Sequence, residues 1–558
     1  MSISKIVIKI KDAFFLQNET FVANPAKVVI DDSFFDSLNF DRVKELYPML
    51  KTAGNISESK SVFSNLIVNI APLDLNGQLK SLFFVTDSTN VVNLMQMANN
   101  RSSSIGENLL NYYFIEVASI DEMNKLGNLN KLKLNLPNLG IDYFYLRGTL
   151  ANFEQQNIPQ KDVFSIDKTK VQEVKQLSKM IESKFQQKPL IMNMMASSSK
   201  KMLFPNPENQ ANVSLPLPLS TNTQLIQTIF KTFGISVNSN LNLASTSSLK
   251  PTIKVIDMEQ GWVFDTPITY VATGFPNKTI LGGGINNSSE NQHGQKTLNV
   301  LLGQENPADD IATLNGLCKG ADVQVASTHY TQGEFKEAAL ASVLGYGYNI
   351  KKDKILASTS TILNLYDIIL LELQISKTYK VYPVPVSGSQ NASALFPVEI
   401  EPAMWNVIQK GVKAKYIIVE AAGNGNINLN TFYVSPFSTM KDLSSINNGT
   451  GAIMIGAFDV NIQPKLNNGN RINYRCFGDD VNTSALISTS NRPFNNTSLA
   501  SAITAALIAN FQSIAQDTTN GIGRRLTIAE IIRILNYTPP SSLPANFKAL
   551  LSFLNILP

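Results

Sequence analysis

Only two histidines, His293 and His329, occur in the 558-residue chain, and histidine is the side chain best suited to general-base chemistry near neutral pH. His293 precedes Gly294 and the helix-like run Lys296–Leu302, whereas His329 follows a strand-like run in Ser-Thr-His-Tyr. We expect His329 to have a structural or surface role. An isolated His-Gly pair is usually a solvated loop, so a catalytic role for His293 requires partner residues of matching chemistry.

Three other polar residues lie where an apolar segment begins or ends. Asp257 ends the strand-like segment Thr252-Ile-Lys-Val-Ile-Asp, where a carboxylate can hold an imidazole in one tautomer. Asn424 follows the strand-like segment Tyr416-Ile-Ile-Val-Glu, and its amide can donate to a developing oxyanion. Ser498 opens a helix of small apolar residues, whose N-terminal dipole and free N–H groups favour a nucleophile. Taken singly, Asp257 is typical of a turn and Ser498 of a helix cap.

The order of these four residues along the chain is the order that subtilisin-like serine proteases use. Val255-Ile-Asp-Met resembles the Asp motif of that family, and His293-Gly resembles its His-Gly-Thr motif. Ala421-Ala-Gly-Asn-Gly is similar to its oxyanion segment, and Asn496-Thr-Ser-Leu-Ala-Ser-Ala to its Gly-Thr-Ser-x-Ala-x-Pro motif. A divergent bacterial subgroup is especially similar, through Val419-Glu-Ala-Ala-Gly-Asn-Gly. The resemblance covers residues 250–515, approximately.

The resemblance implies a serine endopeptidase that acts through an acyl-enzyme intermediate. Ser498 would attack the scissile carbonyl, His293 would take its proton, and Asp257 would orient His293. Asn424 and the backbone N–H of Ser498 would hold the oxyanion. The substrate would be a protein or peptide, and no cofactor would be required.

The resemblance also implies that substrate binds as an added β-strand between two segments. The substrate-binding residues would be Leu371, Glu372, Leu373, Ala421, Ala422 and Gly423. Glu372 lies where the family usually has a small residue at the mouth of a specificity pocket. Its carboxylate could select a basic side chain or belong to a structural hydrogen-bond network, and the sequence favours neither.

Three positions depart from the family's pattern. Asn496 replaces the glycine before Thr-Ser, Ala502 replaces a proline, and Gln295 replaces the threonine after His-Gly. Asparagine tolerates a left-handed backbone better than most residues, so Asn496 could be harmless or could misalign the serine. The alternative to an active protease is therefore a catalytically attenuated or inactive subtilase fold that serves as a protein-binding module.

The elements that must position these residues follow from the hydrophobic pattern. Residues 250–558 contain short, continuous apolar runs that alternate with helices, which indicates a parallel sheet covered on both faces. The predicted fold class is α/β, a subtilase α/β/α sandwich with a mainly parallel sheet, preceded by a smaller α+β N-terminal domain. Its predicted central strands are Thr252–Ile256, Val323–Ala326, Ile368–Leu373, Tyr416–Glu420 and Ala452–Gly456.

The chain before residue 250 divides into two parts. Residues 1–150 alternate strand-like and helical segments, among them Lys5–Ile10, Val91–Ala98 and Ile120–Leu126, as expected of an α+β domain. This domain resembles the propeptide domains of many subtilases, which implies intramolecular inhibition; an unrelated recognition domain is the alternative. Residues 151–249 are rich in Ser, Asn, Pro and Lys beyond a helical run at Lys168–Phe185 and are predicted to be a low-complexity linker or insertion.

Composition narrows the class of partner. With 47 basic and 43 acidic residues the chain carries a formal charge of +4, too weak a field to attract nucleic acid or an anionic membrane. The two cysteines, Cys318 and Cys476, provide no disulfide framework. The first ten residues alternate like a strand rather than a signal peptide, and we found no apolar run close to the roughly 20 residues of a membrane span. We therefore expect a cytoplasmic protein, with signal-independent export left open. The resemblance permits structural calcium, but no ordered acidic loop supports it, and the metal content stays undecided.

Overall fold

A computed structural model describes residues 3–12, 61, 65–66, 68–83, 88–102, 107–119, 140–150, 226, 229–235, 253–262, 280–281, 284–286, 291–303, 316–330, 333–334, 336–346, 348–349, 354–355, 363–381, 392–431, 433–434, 441–459, 463–479, 494–517, 521–537 and 546–556. The helices are α1 (Ser88–Arg101), α2 (Asn291–Leu302), α3 (Lys336–Gly345), α4 (Pro402–Lys413), α5 (Asn496–Gln516), α6 (Ile528–Leu535) and α7 (Phe547–Phe553). Short 3-10 helices span Ala71–Leu73, Leu109–Asn111, Val398–Ile400 and Ile446–Asn448.

The strands are numbered in chain order. In the N-terminal part they are β1 (Ser4–Ile10), β2 (Lys80–Ser81), β3 (Tyr112–Val117), β4 (Ile141–Leu146) and β5 (Thr149–Leu150). The rest of the chain contributes β6 (Lys254–Glu259), β7 (Ile280–Leu281), β8 (Asp322–Ser327), β9 (His329–Tyr330), β10 (Gly333–Glu334), β11 (Tyr348–Asn349), β12 (Lys354–Ile355), β13 (Ile368–Leu371), β14 (Gln374–Val381), β15 (Ala392–Pro397), β16 (Ile417–Ala421), β17 (Tyr433–Val434), β18 (Ile453–Phe458), β19 (Pro464–Lys465) and β20 (Tyr474–Phe477).

The larger domain is built on an eight-stranded sheet in the order β19-β18-β16-β13-β6-β8-β7, with β20 also paired to β18. Its strand pairs are parallel except for β18 with β19. Strands with apolar residues at consecutive positions suit this arrangement because both faces of a parallel sheet are covered. The α/β fold class with a mainly parallel sheet is confirmed.

Alternate residues of the central strands enter two different hydrophobic cores. Ile256 and Met258 face the core that holds α3 and α4, whereas Val255 faces the core that holds α2, α5, α6 and α7. The same alternation applies to β13, where Ile369 faces the first core and Leu370 the second. The domain is therefore a three-layered sandwich, and the parity of a strand residue determines which helices it meets.

Helix α5 crosses the centre of the second core. It is long and apolar enough to cross a membrane by length and composition, but 89% of its most apolar window is buried inside the protein. It packs against α2 and against strands β13, β16, β18 and β20. We therefore assign α5 as the core helix of the sandwich.

The smaller N-terminal domain has the predicted α+β character, with an antiparallel sheet in the order β2-β3-β1-β4 and helix α1. The predicted helices Ile120–Leu126 and Lys168–Phe185 lie outside the described residues. Within the predicted linker, residues 229–235 are described, and Phe230 and Phe233 belong to the second core, where Phe233 meets Phe511 edge-on at 5.2 Å. This part of the predicted linker is thus packed against the larger domain.

The two domains share one hydrophobic core and a cluster of buried charges. Helix α1 packs across α3 and α4, and its apolar residues join the first core. At the edge of this contact the Arg147 guanidinium donates twice to the Glu337 carboxylate, at 3.0 and 2.5 Å. Burial raises the pKa of Glu337, but the positive charges of Arg147 and Lys336 outweigh this effect and lower the pKa to about 2. The contact is therefore extensive, apolar and charge-compensated.

The chain leaves the N-terminal domain along the edge of a strand of the larger domain. Strand β5 pairs antiparallel with β14, with Leu150 opposite Ile375 and Thr149 opposite Ser376. Just before β5, the Gly148 carbonyl accepts a hydrogen bond from the Lys336 ammonium at 3.0 Å. The last described residues of the N-terminal domain thus occupy a sheet edge that begins directly after the predicted substrate-binding segment.

Candidate active site

His293 is the third residue of α2, so it lies in the first turn of a helix rather than in a loop. Gly294 allows this helix to begin close to strand β6, because a Cβ at residue 294 would lie 2.8 Å from Nε1 of Trp262. The His293 ring meets the edge of Phe494 at a centroid distance of 5.3 Å. The His-Gly pair therefore holds the imidazole between β6 and the residues that precede α5.

Two carboxylates at the end of β6 face this helix. Asp257 and Glu259 are two and four residues beyond Val255, so all three point into the layer that contains α2 and α5. The Glu259 Oε1 atom lies 2.5 Å from Nδ1 of His293, a hydrogen bond at a site where Glu259 is 1% exposed. Asp257 instead accepts a hydrogen bond from Nε1 of Trp262 at 2.9 Å. The role predicted for Asp257 stays a prediction, and the observed partner of the imidazole is Glu259.

A third carboxylate, Glu372, belongs to the same cluster. Its Oε2 atom accepts from the Thr297 hydroxyl at 2.7 Å and lies 3.9 Å from Nδ1 of His293. The side chain is fully buried. Of the two roles left open by the sequence, this geometry favours the structural hydrogen-bond network over a pocket for a basic side chain.

Burial and mutual repulsion act strongly on these acids. Burial, and then the nearby Glu259, raise the pKa of Asp257 well above its usual range. Burial, followed by Glu259 and Asp257, raises the pKa of Glu372 in the same direction. Both side chains therefore favour the neutral form, which leaves Glu259 as the acid of this cluster that faces the imidazole directly.

The same cluster offers donor atoms for a divalent cation. Glu259, His293 and Glu372 each present one ligand atom, all within 4.8 Å of one another. Two ligands of a tetrahedral zinc ion are separated by about 3.4 Å, given bond lengths near 2.1 Å. The 2.5 Å between Glu259 and His293 is shorter and fits a shared proton instead.

Ser498 is the third residue of α5, and the first residue of this helix, Asn496, has a left-handed backbone conformation. Asn496 has φ of +76°, a conformation that asparagine tolerates and that other side-chain-bearing residues rarely adopt. Its N–H donates to the Gly478 carbonyl at 2.7 Å. The Ser498 hydroxyl is buried and makes no hydrogen bond to any residue that the structure describes. The serine thus keeps its hydrogen-bonding capacity in a site that excludes water.

Asn424 lies beside the beginning of the same helix. Its Oδ1 atom accepts from the backbone N–H of Thr497 at 3.2 Å and from the Thr497 hydroxyl at 2.7 Å. The backbone N–H of Asn424 donates to Oε1 of Gln374 at 3.0 Å. The Nδ2 atom is buried and has no acceptor among the described residues. The amide is therefore fixed by its oxygen while its N–H₂ group stays available as a donor.

The predicted substrate-binding segments end two neighbouring strands. Leu371 ends β13 and lies opposite Glu420 of β16, so the carboxyl ends of both strands meet. Leu371, Leu373 and Ala421 are fully buried, and Gly423 has φ of +88°. The polar backbone groups of Ala422 are already used, since its N–H donates to Ile455 and its carbonyl accepts from Asn467. Substrate pairing at this edge stays a prediction.

Sequence reasoning missed Glu259, and the signal that identifies it is its spacing. In Asp257-Met-Glu259, two acids two residues apart on a strand must share a face. The departures from the family's pattern also have structural settings: Ala502 is buried in the core face of α5, and Gln295 is buried and donates to Asn299 at 3.2 Å. His329 forms a short strand outside this cluster.

No protein-family model matches the chain, and no curated protein matches it. Among solved structures, the epidermin leader peptide processing serine protease EpiP from Staphylococcus aureus is 11% identical at a TM-score of 0.37, covering 79% of this chain and 91% of that chain. The patellamide maturation protease PatA is 14% identical at 0.32, covering 55% and 98%. A protease from Pseudoalteromonas arctica is 15% identical at 0.32, covering 54% and 90%. All three of these proteins are proteases, and EpiP is a serine protease.

Proposed function

We propose that this protein is a serine endopeptidase with Ser498 as nucleophile and His293 as general base. One observation carries the proposal: a buried hydroxyl and a buried amide, both with unused hydrogen-bonding capacity, flank the same residue, Thr497. Buried polar groups are usually paired, so two unpaired groups beside one residue are suited to a ligand that would complete both. A tetrahedral oxyanion formed on the serine would do so.

The residues have distinct roles in this reaction. The Ser498 oxygen attacks the scissile carbonyl carbon while His293 accepts the hydroxyl proton, and a carboxylate on β6 supports the imidazolium that results. The Nδ2 group of Asn424 and the N–H of Ser498 donate to the oxyanion. His293 then gives its proton to the leaving amine, and water, activated by the same imidazole, hydrolyses the acyl-enzyme. No step in this sequence uses a cofactor.

The alternative function, an inactive binding module, requires that Asn496 moves Ser498 out of line with its catalytic partners. Asn496 adopts the left-handed conformation itself, with the φ that a glycine at this position would supply. The substitution therefore gives no structural reason to expect a displaced serine. This supports the active protease.

We further propose that the N-terminal domain limits access to the site. Strand β5 uses the edge of β14 that begins directly after Leu371–Leu373, and an added substrate strand would need a neighbouring edge. The buried pair of Arg147 and Glu337 holds the chain just before β5 in place. Displacement of β5 would then be required before a long peptide could bind.

The test of the protease is covalent labelling of the full-length chain by a fluorophosphonate probe. Wild-type protein should be labelled at Ser498, and Ser498→Ala should abolish both labelling and peptide hydrolysis. The matched control is Ser501→Ala, one turn later on α5, whose hydroxyl already donates to the Thr497 carbonyl at 2.8 Å. Labelling that survives in Ser498→Ala, or is lost equally in Ser501→Ala, would refute the assignment.

A further inference from the structure

The end of strand β6 offers two carboxylates to a single imidazole, and they are not equivalent. We propose that Glu259, and not Asp257, is the positioning residue that orients His293. The inference rests on the proposed serine-protease function for its kinetic consequences. The pairing of Glu259 with His293 is a separate statement that can be tested without activity.

The hydrogen bond itself is the first argument. Glu259 is the last residue of β6, and His293 lies in the first turn of the helix that follows. Their side chains meet at 2.5 Å between Oε1 and Nδ1, which is a direct hydrogen bond. A carboxylate at Nδ1 holds the proton on that nitrogen, so Nε2 is left to accept the proton of the serine.

The second argument is that Asp257 makes its hydrogen bond to another residue through Oδ2, while its buried Oδ1 atom has no partner among the described residues. Its Oδ2 atom accepts from the indole of Trp262 at 2.9 Å, and Trp262 in turn packs against Gly294, next to the histidine. The backbone of Trp262 is fixed as well, because Asn286 accepts from its N–H and donates to its carbonyl, both at 2.7 Å. Asp257 therefore anchors the indole that supports the start of α2.

The third argument is the charge balance of the site. Among the described residues, Glu259 and Glu372 lie 2.5 and 3.9 Å from Nδ1 of His293, and Asp257 interacts electrostatically with both of these acids. Burial raises the pKa of Asp257 and of Glu372, so each resists carrying a charge. A single anion is enough to stabilise the imidazolium that forms when Ser498 loses its proton. Glu259 is the acid in direct contact with the imidazole, so its position suits that role.

The experiment compares two substitutions that each change a carboxylate to an amide of the same shape: Glu259→Gln and Asp257→Asn. Both are made in a His329→Gln background, so that His293 is the only histidine in the chain. Proton NMR of the full-length protein then reports the Nδ1 proton of His293 without interference. Hydrolysis of a peptide substrate is followed in parallel over a range of pH.

We expect the parent to show a strongly deshielded Nδ1 proton. Glu259→Gln should abolish that signal, shift the acidic limb of the rate profile to lower pH, and reduce kcat by about 1,000- to 10,000-fold with KM nearly unchanged. Asp257→Asn should keep the signal and most of kcat, because an amide oxygen can still accept from Trp262.

The opposite pattern, with the signal and turnover lost in Asp257→Asn and kept in Glu259→Gln, would overturn the proposal, as would equal losses in both. If Glu259→Gln fails to fold, Asp257→Asn still decides, because loss of its NMR signal contradicts the inference. If the parent neither takes up the fluorophosphonate probe nor hydrolyses a peptide too short to require displacement of β5, the proposed function fails, while the NMR comparison still tests the pairing of Glu259 with His293.

Discussion

Asn496, the left-handed residue two positions before Ser498, gives a prediction with a definite sign. An L-residue with a Cβ pays about 1–2 kcal/mol to adopt the left-handed conformation, asparagine pays less, and glycine pays almost nothing. Asn496 has φ of +76°, whereas its neighbour Asn495 has φ of −153°, an extended conformation open to any residue. The two positions therefore respond oppositely to the same substitutions.

At residue 496, glycine should be more stable than alanine by about 1–2 kcal/mol, since only alanine suffers the left-handed penalty. At residue 495, alanine should be more stable than glycine by about 0.5–1 kcal/mol, because glycine loses more conformational freedom on folding. The free energy of unfolding is measured by urea denaturation, and the midpoint is compared at constant slope. The same order at both positions would refute the assigned backbone conformation.

Activity gives the second measurement on these variants. Since Asn496 already has the glycine-like conformation, Asn496→Gly should leave kcat/KM within about threefold of wild type, which is roughly 0.6 kcal/mol in the barrier. An increase of tenfold or more would show that Asn496 displaces Ser498. Asn496→Ala should lower kcat/KM, because alanine is strained in the left-handed conformation and a shift of Thr497 and Ser498 would relieve that strain.

Two other predictions concern the oxyanion site and the N-terminal strand. Asn424→Ala should lower kcat by about 100- to 1,000-fold, the cost of one oxyanion donor in subtilisin, while KM changes little. Thr497→Val is the control, because it removes the hydrogen bond from the Thr497 hydroxyl to Asn424 but keeps the Asn424 amide. Its kcat should fall far less. Thr149→Pro should raise hydrolysis of a long peptide by the full-length chain, because proline is unfavourable within a paired strand and would weaken the pairing of β5 with β14. Thr149→Val keeps the N–H and serves as its control; equal rates in the two variants would contradict inhibition by β5.

The sequence predicted the central sheet well because its strands are apolar at consecutive positions. Each of the five predicted central strands overlaps an observed strand, and the predicted strand Lys5–Ile10 differs from the observed Ser4–Ile10 by one residue. The beginning of α2 was harder to predict. The predicted helix starts at Lys296, whereas the observed helix starts at Asn291, because contact with Trp262 stabilises a first turn that contains the weak helix former Gly294.

The candidate site shows the same limit. The positions of Ser498 and Asn424 follow from their motifs, but which carboxylate reaches His293 depends on how far β6 extends. The strand ends at Glu259 instead of Ile256, which brings a second acid into the same face. The sequence also could not show that the Asn424 amide is held by Thr497, since this contact joins residues 73 positions apart.

If the N-terminal domain inhibits the site as proposed, the core that it shares with the larger domain determines what cleavage of the chain would do. While the chain is intact, the N-terminal domain is tethered to the larger domain, so it meets the surface of α3 and α4 at a high effective concentration. That concentration is on the order of millimolar for short connections and falls as the connecting chain lengthens. A cut between residues 150 and 226 would end that linkage without removing any contact of α1 with α3 and α4. The product would be a two-chain complex whose release depends on dilution or on destruction of the freed domain. Cleavage would then permit activation without causing it, and the rate at which the N-terminal domain dissociates would determine when activity begins.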